Sequence, residues 1–172
     1  MKNYKHILAL DPSGNWQEGK GTTGICLLTV STKHKRVHTI SAKDYDSPEA
    51  YWDAHIKYIA SVVRNHKNII LVIEDYLLYA SKASNQINSR METPKLIGII
   101  QHYCHNNHIP YYMEPAAAVK TRWTNAILEH KHYITRKKNA WYIEDTRLCK
   151  HEMDAIRHAI HFMTFINGKE NK

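Results

Sequence analysis

Residues 7–13 read Ile7-Leu8-Ala9-Leu10-Asp11-Pro12-Ser13, a short apolar run that ends on a carboxylate. The apolar run begins near Tyr4 and is followed at once by Pro12 and Gly14, which favours a strand over a helix. The end of a strand is a rigid place from which a loop opens to solvent, so Asp11 is a candidate catalytic group. The alternative is that Asp11-Pro12-Ser13-Gly14 is turn chemistry alone.

The composition predicts one globular domain over residues 1–172. The chain is 43% hydrophobic, which is enough for a core at this length. No apolar run approaches the roughly 18–20 residues of a membrane span, and Met1–Lys5 lacks the features of a signal peptide. The three cysteines, Cys26, Cys104 and Cys149, are far apart and form no CxxC pair, so neither a disulfide framework nor a cysteine zinc site is supported. We therefore expect a cytoplasmic protein that does not contact a membrane.

The chain is strongly basic, and this points to a polyanionic partner. It has 24 Lys and Arg against 16 Asp and Glu, for a formal net charge of +8 with its 13 histidines neutral. Such a charge attracts phosphate-rich polymers and makes a cationic substrate a poor fit. Nucleic acid is the expected partner.

Hydrophobic periodicity predicts strands and helices in an α/β order. Thr22–Val30 and Arg36–Ala42 are strands that follow the first one through short loops, as an antiparallel meander. The continuous apolar run in Asn68–Asp75 predicts a strand buried on both faces, and it too ends on acids. A fifth strand is expected at Ile109–Glu114.

The predicted helices lie between and after these strands. Ser47 is a typical N-cap with Pro48 in the first turn, so a helix is expected from there to about His66. Its residues with helical spacing predict the core-facing side: Trp52, Ile56, Ile59 and Val63. Further helices are expected over these ranges: Ser84–His105 (with a break at Thr93-Pro94), Pro115–Val119, Lys137–Leu148 and Glu152–Phe165.

The last helix carries polar groups on one face. His151, Asp154 and His158 are spaced i, i+3 and i+7 and therefore share a side of the helix. An acid within an apolar stripe is costly unless something pairs with it. A divalent metal ion is one such partner, and Arg157 or a helix-capping role is the alternative for Asp154.

Three carboxylates from distant parts of the sequence are expected to meet. Asp11 ends the first strand, Glu74 ends the fourth, and the last helix can bring Asp154 across both strand ends. Carboxylates gathered in this way repel one another unless they hold hard cations such as Mg²⁺ or Mn²⁺. Two such ions about 4 Å apart activate a water and stabilise the leaving oxygen of a phosphodiester.

The order of elements and three stretches resemble the RuvC-type Holliday junction resolvases of the ribonuclease H-like superfamily. The stretches are Ile7–Ser13, Leu71–Tyr76 and His151–Ile160, and the resemblance extends over about Lys5–Phe165. It implies an α/β fold in which helices flank a mixed five-stranded sheet, an antiparallel meander followed by parallel strands. It also implies a homodimer that makes paired cuts in a four-way junction without a small-molecule cofactor.

The resemblance assigns the site. Asp11, Glu74 and Asp154 match acids of the family, and His151 falls where the family has an acid or, in some members, a histidine. Glu152 is a weaker match there, and Asp75 is expected to face solvent or to support Glu74. The implied catalytic and metal-binding set comprises Asp11, Glu74, His151 and Asp154. It would hold two Mg²⁺ ions, with Mn²⁺ as a substitute.

The resemblance also implies which residues contact DNA. Lys120 and either Lys137 or Lys138 look like the DNA-contacting lysines of the family. The loop after Glu74 matches the segment that carries a junction-wedging aromatic; Leu77 lies nearest that position, with Tyr76 and Tyr79 as neighbours. The helix at Ser84–His105 would form the dimer interface. The longer first loop and the small size resemble a phage-encoded version, which would act in the host cytoplasm.

The predicted function is a metal-dependent endonuclease that resolves Holliday junctions or other branched DNA and leaves 5′-phosphate and 3′-hydroxyl ends. Two alternatives keep a nucleic-acid partner: an RNA-processing nuclease of the same superfamily, and a non-catalytic binding module on a decayed nuclease fold. A third is a histidine-rich zinc protein that uses the pairs His151/His158 and His102/His105.

Overall fold

The structure, a computed structural model, describes residues 3–76 and 91–168. Its central feature is a mixed five-stranded sheet in the order β3-β2-β1-β4-β5. The strands are β1 (His6–Asp11), β2 (Thr22–Thr29), β3 (Lys35–Ser41), β4 (Ile69–Asp75) and β5 (Tyr111–Pro115). The first three form an antiparallel meander, and β4 and β5 continue from β1 as parallel strands. The predicted α/β architecture is confirmed.

Helices cover both faces of this sheet. They are α1 (Pro48–Asn65), α2 (Glu92–Asn106), α3 (Ala116–Arg122), α4 (Asn125–His130) and α5 (Lys150–Phe165), with a 3-10 turn at Ala42–Asp44. Successive side chains of β1 alternate between the faces. Ile7 and Ala9 pack towards α5, whereas Leu8 and Leu10 pack towards α1 and α2. No helix in the described residues is long and apolar enough to cross a membrane.

Helix α1 begins as predicted but buries a different stripe. Ser47 Oγ accepts a hydrogen bond from the Ala50 amide at 3.1 Å, and Pro48 lies in the first turn. Of the predicted core positions only Ile59 is fully buried; the buried residues are Tyr51, His55, Ile59 and Val62. Trp52, Ile56 and Val63 are half-buried at the margin. The buried side of α1 includes Tyr51 and His55, whose polar atoms form hydrogen bonds inside the protein, with the Ser13 carbonyl and with Thr23 Oγ1.

The helix predicted at Lys137–Leu148 is wrong. This region forms a small antiparallel sheet of β6 (Thr135–Lys137), β7 (Ala140–Ile143) and β8 (Thr146–Arg147). Its two tight turns contain Lys138 and Glu144 with φ of 54° and 53°. A left-handed backbone at these positions ends any helix. Trp141 and Ile143 alternate with Tyr142 and pack against the core on the α5 side, which is the period of a strand.

Helix α5 begins with a capping box. Glu152 Oε2 accepts from the Cys149 amide at 2.8 Å, and Cys149 Sγ accepts from the Glu152 amide at 3.5 Å. Glu152 is therefore engaged in capping rather than in the candidate site. Part of the predicted helix at Ser84–His105 lies outside the described residues, and α2 is described from Glu92 onward.

Candidate functional site

Three strands present carboxylates at the same edge of the sheet. Asp11 is the last residue of β1, and its neighbour Leu10 pairs with Ile73 of the parallel strand β4, so Glu74 lies beside Asp11. In the next pair of strands Glu74 is opposite Glu114. Because parallel strands end together, the three side chains line one edge.

A glycine in β2 allows helix α5 to reach this edge. Gly24 pairs with Asp11 across the β1–β2 ladder. A Cβ atom at Gly24 would lie 2.1 Å from both the carbonyl carbon and the carbonyl oxygen of His151, so only glycine fits here. The first turns of α5 thus rest on the backbone of β2, and His151 Nδ1 lies 2.7 Å from Asp11 Oδ2.

Two cationic side chains hold Asp154. Lys120 of α3 places Nζ 3.3 Å from Asp154 Oδ2 and 3.0 Å from Glu74 Oε1. Arg157 pairs with the other oxygen of Asp154 and donates from Nε to the Trp123 carbonyl at 2.8 Å. A further Arg157 nitrogen bonds to Asn125 Oδ1. The pairing with Arg157, considered from the sequence as an alternative to metal binding, is thus present, and Asp154 is 4% exposed.

A buried histidine links two of the strand-end carboxylates. His158 of α5 is fully buried, with Nδ1 2.7 Å from Glu114 Oε2 and Nε2 2.9 Å from Glu74 Oε2. Burial lowers the pKa of His158, but the hydrogen bonds and charges of Glu114 and Glu74 outweigh burial and raise that pKa to about 9. The histidine is therefore a cation at neutral pH.

The carboxylates of the site differ in their electrostatics. Burial raises the pKa of Glu74, but His158 and Lys120 outweigh burial and lower that pKa to about 2. The pKa of Asp11 is raised by burial, and although the hydrogen bond from His151 opposes this rise, the negative charges of Glu74 and Asp154 add to it. Asp11 is thus a largely buried carboxylate whose charged form a further cation would stabilise.

The loop after Asp11 is held by hydrogen bonds to its surroundings. Tyr51 Oη donates to the Ser13 carbonyl at 2.6 Å, and the Ser13 amide donates to Thr23 Oγ1 at 3.1 Å. The Gly14 amide donates to Thr93 Oγ1 at 3.0 Å. A Cβ atom at Gly14 would lie 2.1 Å from the Glu92 carbonyl oxygen, so the loop rests on the start of α2. These contacts restrict the position of Asp11.

The donor atoms suit a hard divalent cation, although no ligand cluster is formed. Among residues 3–76 and 91–168, no three His, Cys, Asp or Glu side chains are arranged to hold a metal ion. Carboxylate oxygens are nevertheless the ligands that Mg²⁺ prefers. The Lys120 ammonium already lies within hydrogen-bonding distance of both Glu74 and Asp154, so a cation fits between these two carboxylates. A metal ion would compete with Lys120 for the same oxygens.

The residues predicted from the sequence fall into two groups. Asp11, Glu74, His151 and Asp154 lie together, and Lys120 is in contact with two of them. Outside this site, Lys137 lies on the small sheet, where Nζ donates to Asp145 Oδ1 and to the Glu144 carbonyl, both at 3.0 Å. Lys138 is exposed in the adjacent turn, and Tyr76 is half-buried directly after β4. Leu77 and Tyr79 lie outside the described residues.

Two members of the site were not predicted as such. Glu114 is the penultimate residue of β5, as Glu74 is of β4, and this position near a strand end is the signal in the sequence for it. His158 was grouped with His151 as a zinc pair, but the two contact different carboxylates. The signal for His158 in the sequence is its position in the apolar stripe of α5, one turn beyond Asp154.

Comparison with solved structures identifies the fold. The RuvC of T. thermophilus in complex with a Holliday junction substrate superposes with a TM-score of 0.65 at 14% identity, over 93% of this chain and 94% of that one. A second Thermus thermophilus RuvC structure gives a TM-score of 0.61 at 12% identity, over 92% and 93%. No family model and no curated protein sequence matches the chain. The chain therefore has the RuvC fold that its sequence predicted.

Proposed function

We propose that this protein is a metal-dependent endonuclease that resolves Holliday junctions or other branched DNA by paired hydrolysis of phosphodiester bonds. The proposal rests on one observation: Asp11, Glu74 and Asp154 meet at one edge of a sheet with the RuvC fold. His151 supports it from beside Asp11. The net charge of +8 suits a polyanionic substrate.

The residues that would hold metal are Asp11, Glu74 and Asp154, together with His151. Three of them supply carboxylate oxygens, the donors that Mg²⁺ prefers, and we propose that they hold two Mg²⁺ ions, with Mn²⁺ as a substitute. When bound, such ions supply an activated water and stabilise the leaving oxygen.

In the proposed reaction a water attacks the phosphorus in line and the bond between phosphorus and the 3′ oxygen breaks. The products are a 5′-phosphate and a 3′-hydroxyl end. Lys120 reaches the site from α3 and offsets negative charge that builds up on the phosphate. His151 holds Asp11 through Nδ1.

We further propose that the DNA is bound by residues around this site and by two copies of the chain. Lys137 and Lys138 would contact the sugar–phosphate backbone, and Leu77 with Tyr76 and Tyr79 would contact the junction centre. A homodimer follows because paired cuts in a two-fold symmetric junction need two sites. Light scattering after size-exclusion chromatography tests this, and a protein that cuts junctions as a monomer would contradict it.

The decisive experiment is a cleavage assay on a labelled synthetic four-way junction, with Mg²⁺ and then with EDTA, beside linear duplex DNA and structured RNA. We expect paired symmetric nicks in the junction that disappear with EDTA. Binding without cutting in any divalent metal would support a non-catalytic module instead. Preferential cutting of the RNA would identify an RNA-processing nuclease.

A further inference from the structure

His158 is fully enclosed between Glu74 and Glu114, which come from neighbouring strands. We propose that His158, anchored by Glu114, is a positioning residue that fixes Glu74 so that one carboxylate oxygen, Oε1, is left for the site. The inference rests on the proposed role of Glu74 as a ligand of a divalent metal ion. In this arrangement His158 and Glu114 would hold the Glu74 carboxylate in place without contacting the metal ion themselves.

The geometry determines which groups donate. Both ring nitrogens of His158 lie within 2.9 Å of carboxylate oxygens, and a carboxylate only accepts. Each nitrogen therefore donates, and the ring cannot turn over without breaking both hydrogen bonds. With no solvent-exposed surface, the ring also has no room to move aside.

The consequence for Glu74 is that its two oxygens have different roles. Oε2 is held by His158 at 2.9 Å, while Oε1 faces Lys120 at 3.0 Å, on the side where Asp154 lies. The strand fixes only the Cα of Glu74, and its side chain has three rotatable torsions. The bond to His158 is what selects one orientation of the carboxylate plane, as partners behind a metal ligand commonly do.

The Glu114 carboxylate anchors His158. It is 2% exposed and, among the described residues, the only hydrogen bond of its carboxylate is the one from His158, since its Oε1 is buried without a partner. Glu74 and Glu114 are neighbours across two parallel strands and would repel each other. The positive ring between them removes that repulsion and ties Glu74 to the core.

Two substitutions of the same histidine separate positioning from simple packing. The amide nitrogen of glutamine lies near the position of Nε2, so His158→Gln keeps a donor for Glu74. The amide nitrogen of asparagine lies near that of Nδ1, so His158→Asn keeps a donor for Glu114 alone. If His158 only fills space, both variants should bind Mn²⁺ with similar affinity. If His158 positions Glu74, the asparagine variant should bind Mn²⁺ more weakly than the glutamine variant.

The measurement is Mn²⁺ binding to the full-length protein without nucleic acid, followed by electron paramagnetic resonance. We expect His158→Asn to weaken binding by about tenfold or more, the usual effect of losing a partner behind a ligand. His158→Gln should weaken binding clearly less. His38→Gln is the control, because His38 is an exposed residue of β3 that stacks on Tyr58 away from the site; this variant should bind Mn²⁺ as the wild type does.

Glu114→Gln provides a second variant should His158→Asn fail to fold, as judged by circular dichroism. It is isosteric, removes the anchoring charge and should also weaken Mn²⁺ binding. Equal Mn²⁺ affinity in the asparagine and glutamine variants, or wild-type affinity in Glu114→Gln, would overturn the inference even if the protein cuts junctions. Conversely, the expected order of affinities in a protein that cuts no nucleic acid would overturn the proposed function and leave the positioning role standing.

Discussion

Gly24 and the backbone of His151 are in direct contact: a Cβ atom at Gly24 would lie 2.1 Å from the carbonyl carbon of His151. This contact joins strand β2 to the start of α5 at the place where Gly24 pairs with Asp11. The absence of one side chain therefore sets the distance between the strand-end carboxylate and the helix that carries Asp154.

Gly24→Ala should destabilise the protein by about 1–3 kcal/mol, the usual cost of overpacking a closed contact. It should also reduce junction cutting, because α5 must move away from Asp11. Thermal unfolding and the cleavage assay measure the two effects.

Gly98→Ala is the control for this substitution. Gly98 lies inside α2, and within residues 3–76 and 91–168 no atom apart from its chain neighbours and the adjacent backbone of α2 comes within 4 Å of a Cβ placed there. Alanine is favoured over glycine in a helix, so this variant should be more stable by about 0.5–1 kcal/mol. A Gly24→Ala protein as stable as Gly98→Ala would contradict the close approach.

Asp154→Asn should abolish cutting while leaving junction binding largely intact. The substitution keeps the volume of the side chain but removes a charge that a divalent ion needs. The cleavage assay and a gel-shift titration in Ca²⁺ measure the two properties. Asp53→Asn, which changes an exposed carboxylate of α1, should behave as the wild type. Normal cutting by Asp154→Asn would show that the site is assigned wrongly.

Removing Lys120 should strengthen metal binding and weaken catalysis. Because its ammonium shares the oxygens of Glu74 and Asp154 with any bound ion, Lys120→Met should raise Mn²⁺ affinity by about two- to fivefold, as expected for losing a partly exposed ion pair. Cutting should fall because the charge beside the phosphate is lost. Lys57→Met, at an exposed position of α1, is the control and should change neither quantity.

The stability of the metal-free protein should fall as the pH rises above neutrality. The pKa of His158 is about 9 in the folded protein, above its ordinary value of 6.5. Its contribution to stability is therefore fully present below pH 6.5 and is lost as the pH rises through 9. The free energy of unfolding from urea titrations in EDTA should drop by an amount on the order of 3 kcal/mol across this interval.

In His158→Gln the free energy of unfolding should no longer fall at alkaline pH, but it should still fall at acid pH. Burial lowers the pKa of His55 to about 4, so the unfolded chain binds that proton first and stability is lost as the pH falls from 6.5 towards 4. A His158→Gln protein with the same alkaline decline as the wild type would show that another group causes it.

Much of the fold could be predicted from local patterns. The bounds predicted for the five strands of the central sheet agree with the structure to within two residues, because apolar runs with turn residues after them are a signal of neighbouring positions. The same local signal located Asp11 and Glu74 at strand ends. The helix expected at Lys137–Leu148 failed because its strands are short and its turns use Lys138 and Glu144, which carry no glycine signal.

The sequence alone thus determined the order of the five strands of the central sheet, because apolar runs and their periods are local. It also placed Asp11 and Glu74 at the ends of those runs. Only the tertiary structure decided which side chains meet. Asp11 and His151 are 140 residues apart and touch because Gly24 lets α5 lie on β2. His158 bridges Glu74 and Glu114 because strand register and helix packing bring three distant residues within hydrogen-bonding distance, and no local pattern encodes that distance.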